Sequence, residues 1–181
     1  MPGKTDKSIL YIGGARSGKS SLAQRTAIDS GLPFVYLATG IITDREMAER
    51  VEHHRNHRPS HWRTLEVPYG FGECRESFSG NGVLLDCATF LASNVLLREQ
   101  GKEKPARDAL AGELEWLFNK RERENFLLLV VSNEVGMGVV PDSSLGRVFR
   151  DVAGWMNQWL ASRCDEAYLV VAGLPWRLKP R

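Results

Sequence analysis

Several classes of protein are excluded by what the chain lacks. It has three cysteines in 181 residues, Cys74, Cys87 and Cys164. They are odd in number, far apart and form no CxxC pair. They indicate neither a disulfide framework nor a zinc–cysteine site, and reduced thiols of a cytoplasmic protein are expected. An excess of one charge sign is also missing: 24 Lys+Arg stand against 22 Asp+Glu, formally +2. That balance argues against an electrostatic nucleic-acid or membrane binder. No long apolar run occurs; Phe126–Val131 is far too short to span a bilayer. The mostly polar start, Met1–Ser8, does not read as a secretory signal. Internal repeats, low-complexity tracts and an interdomain linker are absent, as are HExxH and the guanine-reading motif Asn-Lys-x-Asp.

What is present points to phosphate. Gly13-Gly14-Ala15-Arg16-Ser17-Gly18-Lys19-Ser20 matches G-x-x-x-x-G-K-[ST] completely. The apolar Ile9–Ile12 precedes it, and a helical pattern carrying Leu22, Ala23, Thr26 and Ala27 follows. This strand–loop–helix setting is what makes the motif a P-loop rather than a glycine-rich turn. Successive N–H groups point inward, and the helix adds its positive dipole end. Lys19 is expected to reach the β- and γ-phosphates, and the Ser20 hydroxyl to hold Mg²⁺.

The rest of the chain alternates strand-like and helical stretches. Continuous apolar runs at Ile9–Ile12, Phe34–Ala38, Val83–Cys87, Phe126–Ser132 and Ala167–Ala172 predict parallel strands covered on both faces. Helices are predicted at 19–30, 44–57, 88–99, 107–123 and 144–162, with loops at Gly80–Gly82 and Gly101–Pro105. The length suits one domain, residues 9–181 behind a short N-terminal extension of residues 1–8. The predicted fold class is three-layer α/β with a mostly parallel central sheet. Ligands in such folds sit at the carboxyl ends of the strands. The P-loop, Thr39-Gly40, Asp86 and Asn133-Glu134 all fall there.

Asp86 ends an apolar run, Val83-Leu84-Leu85, in the manner of a Walker B strand. It is expected to hold Mg²⁺ opposite Ser20; the competing reading is a cap for the helix that follows. Asn133 and Glu134 open a long apolar–glycine loop to Pro141 and suit either a ligand contact or a structural role.

All four histidines, His53, His54, His57 and His61, fall within nine residues. A capping box, Thr43 to Glu46, starts this helix, and Pro59 ends it near His57. Met47, Val51 and His54 share one face, with Arg50 and Arg58 flanking it; His53 pairs instead with Glu49 and His57. Three readings stand. The helix is a solvated surface with incidental histidines, or a metal site on His53 and His57, or it carries a nucleophilic imidazole between phosphate-neutralising arginines.

Together these motifs resemble the bifunctional adenosylcobinamide kinase/adenosylcobinamide-phosphate guanylyltransferase family of cobalamin biosynthesis. The resemblance runs from Ile9 to Lys179. Its specific marks are the His-His helix followed by His61-Trp62-Arg63-Thr64, and Asn133-Glu134-Val135-Gly136-Met137-Gly138. Tyr36-Leu37-Ala38-Thr39, Leu85-Asp86-Cys87, Phe149-Arg150-Asp151 and Asn157-Gln158 add to them. The resemblance implies RecA-like topology, a cytoplasmic homotrimer and two reactions. ATP or GTP phosphorylates the aminopropanol arm of adenosylcobinamide. A histidine then takes GMP from GTP, releases pyrophosphate and passes GMP on, giving adenosylcobinamide-GDP. The implied nucleophile is His54, with His53 second. Implied nucleotide contacts are Gly13, Gly14, Ala15, Arg16, Ser17, Gly18, Lys19, Ser20, Ala38, Thr39, Gly40, Arg55, Asn56, His57, Arg58, Glu66 and Asp86, with Ser20 and Asp86 also on Mg²⁺. The loop from Glu66 to Asp86 is shorter than the family pattern. A single-activity P-loop kinase, a regulatory nucleotide switch and a RecA-like nucleic-acid motor are the rival readings.

Overall fold

Continuous apolar runs fold as inner strands here because both of their faces are covered. A computed structural model describes residues 7–41, 45, 49, 52 and 58–179. Its strands are β1 (Ser8–Gly13), β2 (Phe34–Ala38), β3 (Arg63–Glu66), β4 (Gly82–Asp86), β5 (Leu128–Asn133), β6 (Glu166–Val171) and β7 (Leu174–Lys179). They form one sheet in the order β3-β2-β4-β5-β1-β6-β7. All neighbouring pairs are parallel except β6–β7, which is antiparallel. The larger helices among the described residues are α1 (Lys19–Ser30), α2 (Ala88–Arg98), α3 (Glu103–Glu124) and α4 (Ser144–Arg163). This is the three-layer P-loop fold with RecA-like topology. β5 lies between the strand that feeds the P-loop and the strand that ends in Asp86.

The two-residue period of the strands sorts side chains between two cores. Leu10, Val35, Leu37, Leu85, Leu128 and Val130 face α2, α3 and α4. Tyr11, Phe34, Tyr36, Leu84, Leu129 and Val131 share the other core with Ala23 and Ala27 of α1, and with Trp62. Asp86 follows Leu84 by two residues, so its carboxylate emerges on the α1 side.

Two strands escaped prediction. β3 (Arg-Thr-Leu-Glu) is short, polar and at one edge. β7 (Leu-Pro-Trp-Arg-Leu-Lys) is the other edge, where Pro175 is tolerated. Ala172 and Gly173, with φ of 51° and 79°, turn the chain between β6 and β7. β5 starts at Leu128 rather than Phe126, whose ring packs edge-on against Phe78 at 5.4 Å. α3 starts at Glu103, inside the expected loop, because a proline fits the first turn. Arg45, Glu49 and Glu52 are helical, as predicted. The capping box and the face carrying Met47, Val51 and His54 lie outside the described residues. Among the described residues no helix is long and apolar enough to cross a membrane.

Candidate active site

The P-loop closes between β1 and α1. A Cβ on Gly13 would lie 2.5 Å from both Ser17 Oγ and the Val170 carbonyl oxygen. Gly18 has φ of +93°, and a Cβ there would meet the Gly173 Cα at 3.1 Å. The Gly173 N–H donates to the Ser17 carbonyl at 2.8 Å. The β6–β7 turn therefore buttresses the loop from behind. Gly14, Ala15 and Arg16 are exposed on the open side.

Lys19 is buried, and its ammonium donates to the Gly14 carbonyl at 2.9 Å. Burial lowers its pKa from the usual lysine value, against the opposing pull of Cys87 and Asp86. Its charge thus stands ready for a phosphate that would repay the lost solvation. One residue on, the Ser20 hydroxyl donates to Asp86 Oδ1 at 3.4 Å. The other carboxylate oxygen, Oδ2, accepts from the Tyr36 hydroxyl at 2.9 Å. Asp86 does not cap α2: its N-cap residue is Cys87, with no side-chain cap bond.

Hard oxygen donors on Ser20 and Asp86, beside a phosphate loop, fit Mg²⁺, which takes one or two protein oxygens plus phosphates and water. No group of three His, Cys, Asp or Glu able to hold a metal by itself occurs among the described residues. The metal reading of His53 and His57 lies outside them.

Strand register gathers the next residues. Ala38 is the partner of both Glu66 and Asp86, so three expected contact positions stand side by side across β3, β2 and β4. Glu66 is exposed there. Thr39 is fully buried, and its hydroxyl donates to the Cys87 carbonyl at 2.6 Å. The Asn94 side chain donates to the Thr39 carbonyl at 2.8 Å and to that of Pro68 at 3.1 Å. Thr39 therefore sets the turn out of β2, while Ala38 and Gly40 keep partial exposure.

Arg58, which follows His57 in sequence, lies against the sheet. Its guanidinium lies over the Tyr36 ring, 3.2 Å from the centroid, and Nη1 donates to Thr64 Oγ1 at 3.3 Å. Trp62 then stacks on Phe34 at 5.1 Å and anchors the chain against the α1 face. His61 is exposed. His53, His54, Arg55, Asn56 and His57 lie outside the described residues.

Asn133 pairs with Gly13 in the sheet, and the Glu134 N–H donates to the Gly13 carbonyl at 3.0 Å. The Glu134 carboxylate turns back on its own loop and accepts from Gly136 N–H at 2.7 Å and Met137 N–H at 3.1 Å. These two bonds give Glu134 a loop-forming role. Ser132 donates to Asn157 Oδ1 at 2.6 Å, and Asn157 Nδ2 donates to the Asn133 carbonyl at 3.0 Å, tying α4 to this strand end.

Sequence reasoning did not assign Tyr36 or Gly173 to the site. The signal for Tyr36 was a hydroxyl inside a buried apolar strand, where it requires a partner. Gly173 carried no local signal, because its role is long-range.

A family model described as cobinamide kinase / cobinamide phosphate guanyltransferase matches residues 9–178. The bifunctional adenosylcobalamin biosynthesis protein CobP of Pseudomonas aeruginosa is 44% identical over 172 residues, covering 94% of this chain and 96% of that one. The corresponding CobU of Escherichia coli K12 is 41% identical over 180 residues, covering 94% and 99%. Among solved structures, the flagellar accessory protein FlaH of Methanocaldococcus jannaschii superposes with a TM-score of 0.55 at 15% identity, covering 98% of this chain and 80% of that one. At that identity the likeness concerns the fold alone.

Proposed function

We propose that this chain, which belongs to the cobinamide kinase / cobinamide phosphate guanyltransferase family, carries GMP between substrates on His54. It is a bifunctional enzyme of adenosylcobalamin biosynthesis, a cobinamide kinase and a cobinamide-phosphate guanylyltransferase. The observation that carries the covalent reading is the position of Arg58. It follows the histidine segment and rests on Tyr36, whose hydroxyl holds Asp86 beside the P-loop. Arg58, four residues after His54, thus stands beside the residues that flank the phosphate loop.

In the kinase step, the aminopropanol hydroxyl of adenosylcobinamide attacks the γ-phosphorus of ATP or GTP, the bond to the β-phosphate oxygen breaks, and the hydroxyl proton is released to solvent. Lys19 and the N–H groups of residues 13–20 receive the developing charge, where fixed donors act most strongly. Ser20 and Asp86 would hold Mg²⁺, which neutralises phosphate charge when bound. In the transfer step, a neutral His54 nitrogen attacks the α-phosphorus of GTP. An N–P bond forms, the P–O bond to pyrophosphate breaks, and the imidazole sheds its other ring proton. The terminal phosphate oxygen of cobinamide phosphate then attacks the same phosphorus, and the N–P bond breaks as the imidazole takes a proton back on its other ring nitrogen. The products are adenosylcobinamide-GDP and the free histidine. Ala38, Gly40, Arg55, Asn56, His57, Arg58, Glu66 and Asp86 frame the nucleotide, and the buried Thr39 sets the turn that presents Ala38 and Gly40.

The enzyme works in the cytoplasm as a homotrimer in this reading. Support for self-association comes from β7, an edge strand with Leu174, Trp176 and Leu178 exposed.

The test is a label. GTP carrying ³²P at the α-position should leave acid-labile, base-stable radioactivity on the protein. His54→Ala should abolish it and leave kinase turnover measurable. Normal labelling of His54→Ala would remove His54 as nucleophile. A wild type that is never labelled, yet makes adenosylcobinamide-GDP, would end the covalent account.

A further inference from the structure

The Tyr36 hydroxyl and ring make separate contacts with the two halves of the site. Its hydroxyl donates to Asp86 Oδ2 at 2.9 Å, while Ser20 occupies Oδ1 at 3.4 Å. Its ring lies 3.2 Å below the Arg58 guanidinium. Arg58 is further oriented by Thr64, the register neighbour of Tyr36 on β3. Tyr36 is itself held between Thr64 and Leu84 in the sheet and is 4% exposed. A buried strand residue has almost no freedom to give way, so what it touches is held as firmly as the sheet.

We propose that Tyr36 is a positioning residue for both reactions. Its hydroxyl orients the Asp86 carboxylate towards the divalent cation, and its ring orients Arg58 for the nucleotide phosphate during guanylyl transfer. The inference rests on the proposed roles of Asp86 and Arg58. It adds that a single buried phenol holds them in a common frame. Burial and then the Asp86 charge raise the pKa of this phenol far above the usual tyrosine value, while Arg58 pulls it down.

Two variants separate the halves. Tyr36→Phe keeps the ring and removes the hydroxyl; Tyr36→Leu removes both. Binding of Mn²⁺ to protein saturated with a β,γ-imido GTP analogue would be read from the electron paramagnetic resonance signal of the free ion. Kinase and transferase kcat and KM would be measured at saturating metal, with thermal unfolding as the fold control. Tyr36→Phe should weaken Mn²⁺ binding by about tenfold or more, the scale of one hydrogen bond to a charged group, and should keep a higher transferase kcat at saturating metal than Tyr36→Leu. Tyr36→Leu should show the same metal defect and a further loss of about tenfold in transferase kcat, as expected when one positioned charge drifts.

A tyrosine that only satisfied its own hydroxyl would lower the unfolding midpoint and leave Mn²⁺ affinity unchanged. Wild-type Mn²⁺ affinity in folded Tyr36→Phe would overturn the hydroxyl role. Equal transferase kcat in the two variants would overturn the ring role. If Tyr36→Leu does not fold, Arg58→Lys takes its place: transfer should fall while Mn²⁺ affinity holds, and unchanged transfer would overturn the ring role. A wild type that binds Mn²⁺ but transfers no GMP would refute the proposed function and the ring role with it, while the Mn²⁺ measurement would still decide the hydroxyl.

Discussion

The Lys19 ammonium donates to the carbonyl of Gly14 at 2.9 Å, inside the loop that Lys19 itself completes. The bond keeps a buried charge satisfied until a phosphate replaces it. Burial nevertheless lowers its pKa, so the charged form is held at a cost to folding. Lys19→Met should therefore cut kinase kcat by roughly 100-fold or more while leaving the unfolding midpoint equal or higher. Steady-state kinetics and calorimetry on the same preparation check both halves. Unimpaired kinase turnover would contradict the assignment.

Gly18 meets the opposite constraint. At φ +93°, with Gly173 Cα 3.1 Å from any added Cβ, Gly18→Ala should destabilise by about 1–3 kcal/mol. It should also weaken binding of a fluorescent GTP analogue, because the loop's N–H groups depend on that geometry. Urea titration and fluorescence titration give the two values.

Glu113 of α3 accepts from the Gly70 N–H at 2.8 Å and the Phe71 N–H at 2.7 Å, one on each carboxylate oxygen. Glu113→Gln turns one acceptor into a donor facing a donor. A loss of about 1–3 kcal/mol in urea unfolding is expected, with KM for nucleotide unchanged, since this contact lies on the face away from α1.

Burial pushes the thiols of Cys87 and Cys164 up to about 12 from an ordinary value of 9.0. A raised folded pKa means that the unfolded chain loses its proton first. The contribution is complete below about pH 9 and is lost as pH rises towards 12. Stability should fall over that window, and Cys164→Ala should flatten the fall. At neutral pH an aromatic disulfide reagent should modify the half-buried Cys74 before either buried thiol. Equal rates for all three would show that the native packing opens readily.

The legible parts of this protein were those in which neighbouring residues do the work. Residues 13–20 build one loop from contiguous backbone, so their spelling alone announces it. β1, β2 and β4 were visible because burial on both faces demands unbroken apolar runs. β3 and β7 were not, because an edge strand can be short, polar or proline-bearing without loss. The chain order by itself determined the phosphate loop and the acidic strand end. Tertiary structure alone decided that a tyrosine from β2 would join Asp86 to Arg58, and that a turn 155 residues beyond Gly18 would brace the P-loop. Such contacts depend on strand order and register, which are set by how the whole sheet packs and leave no trace in local spacing.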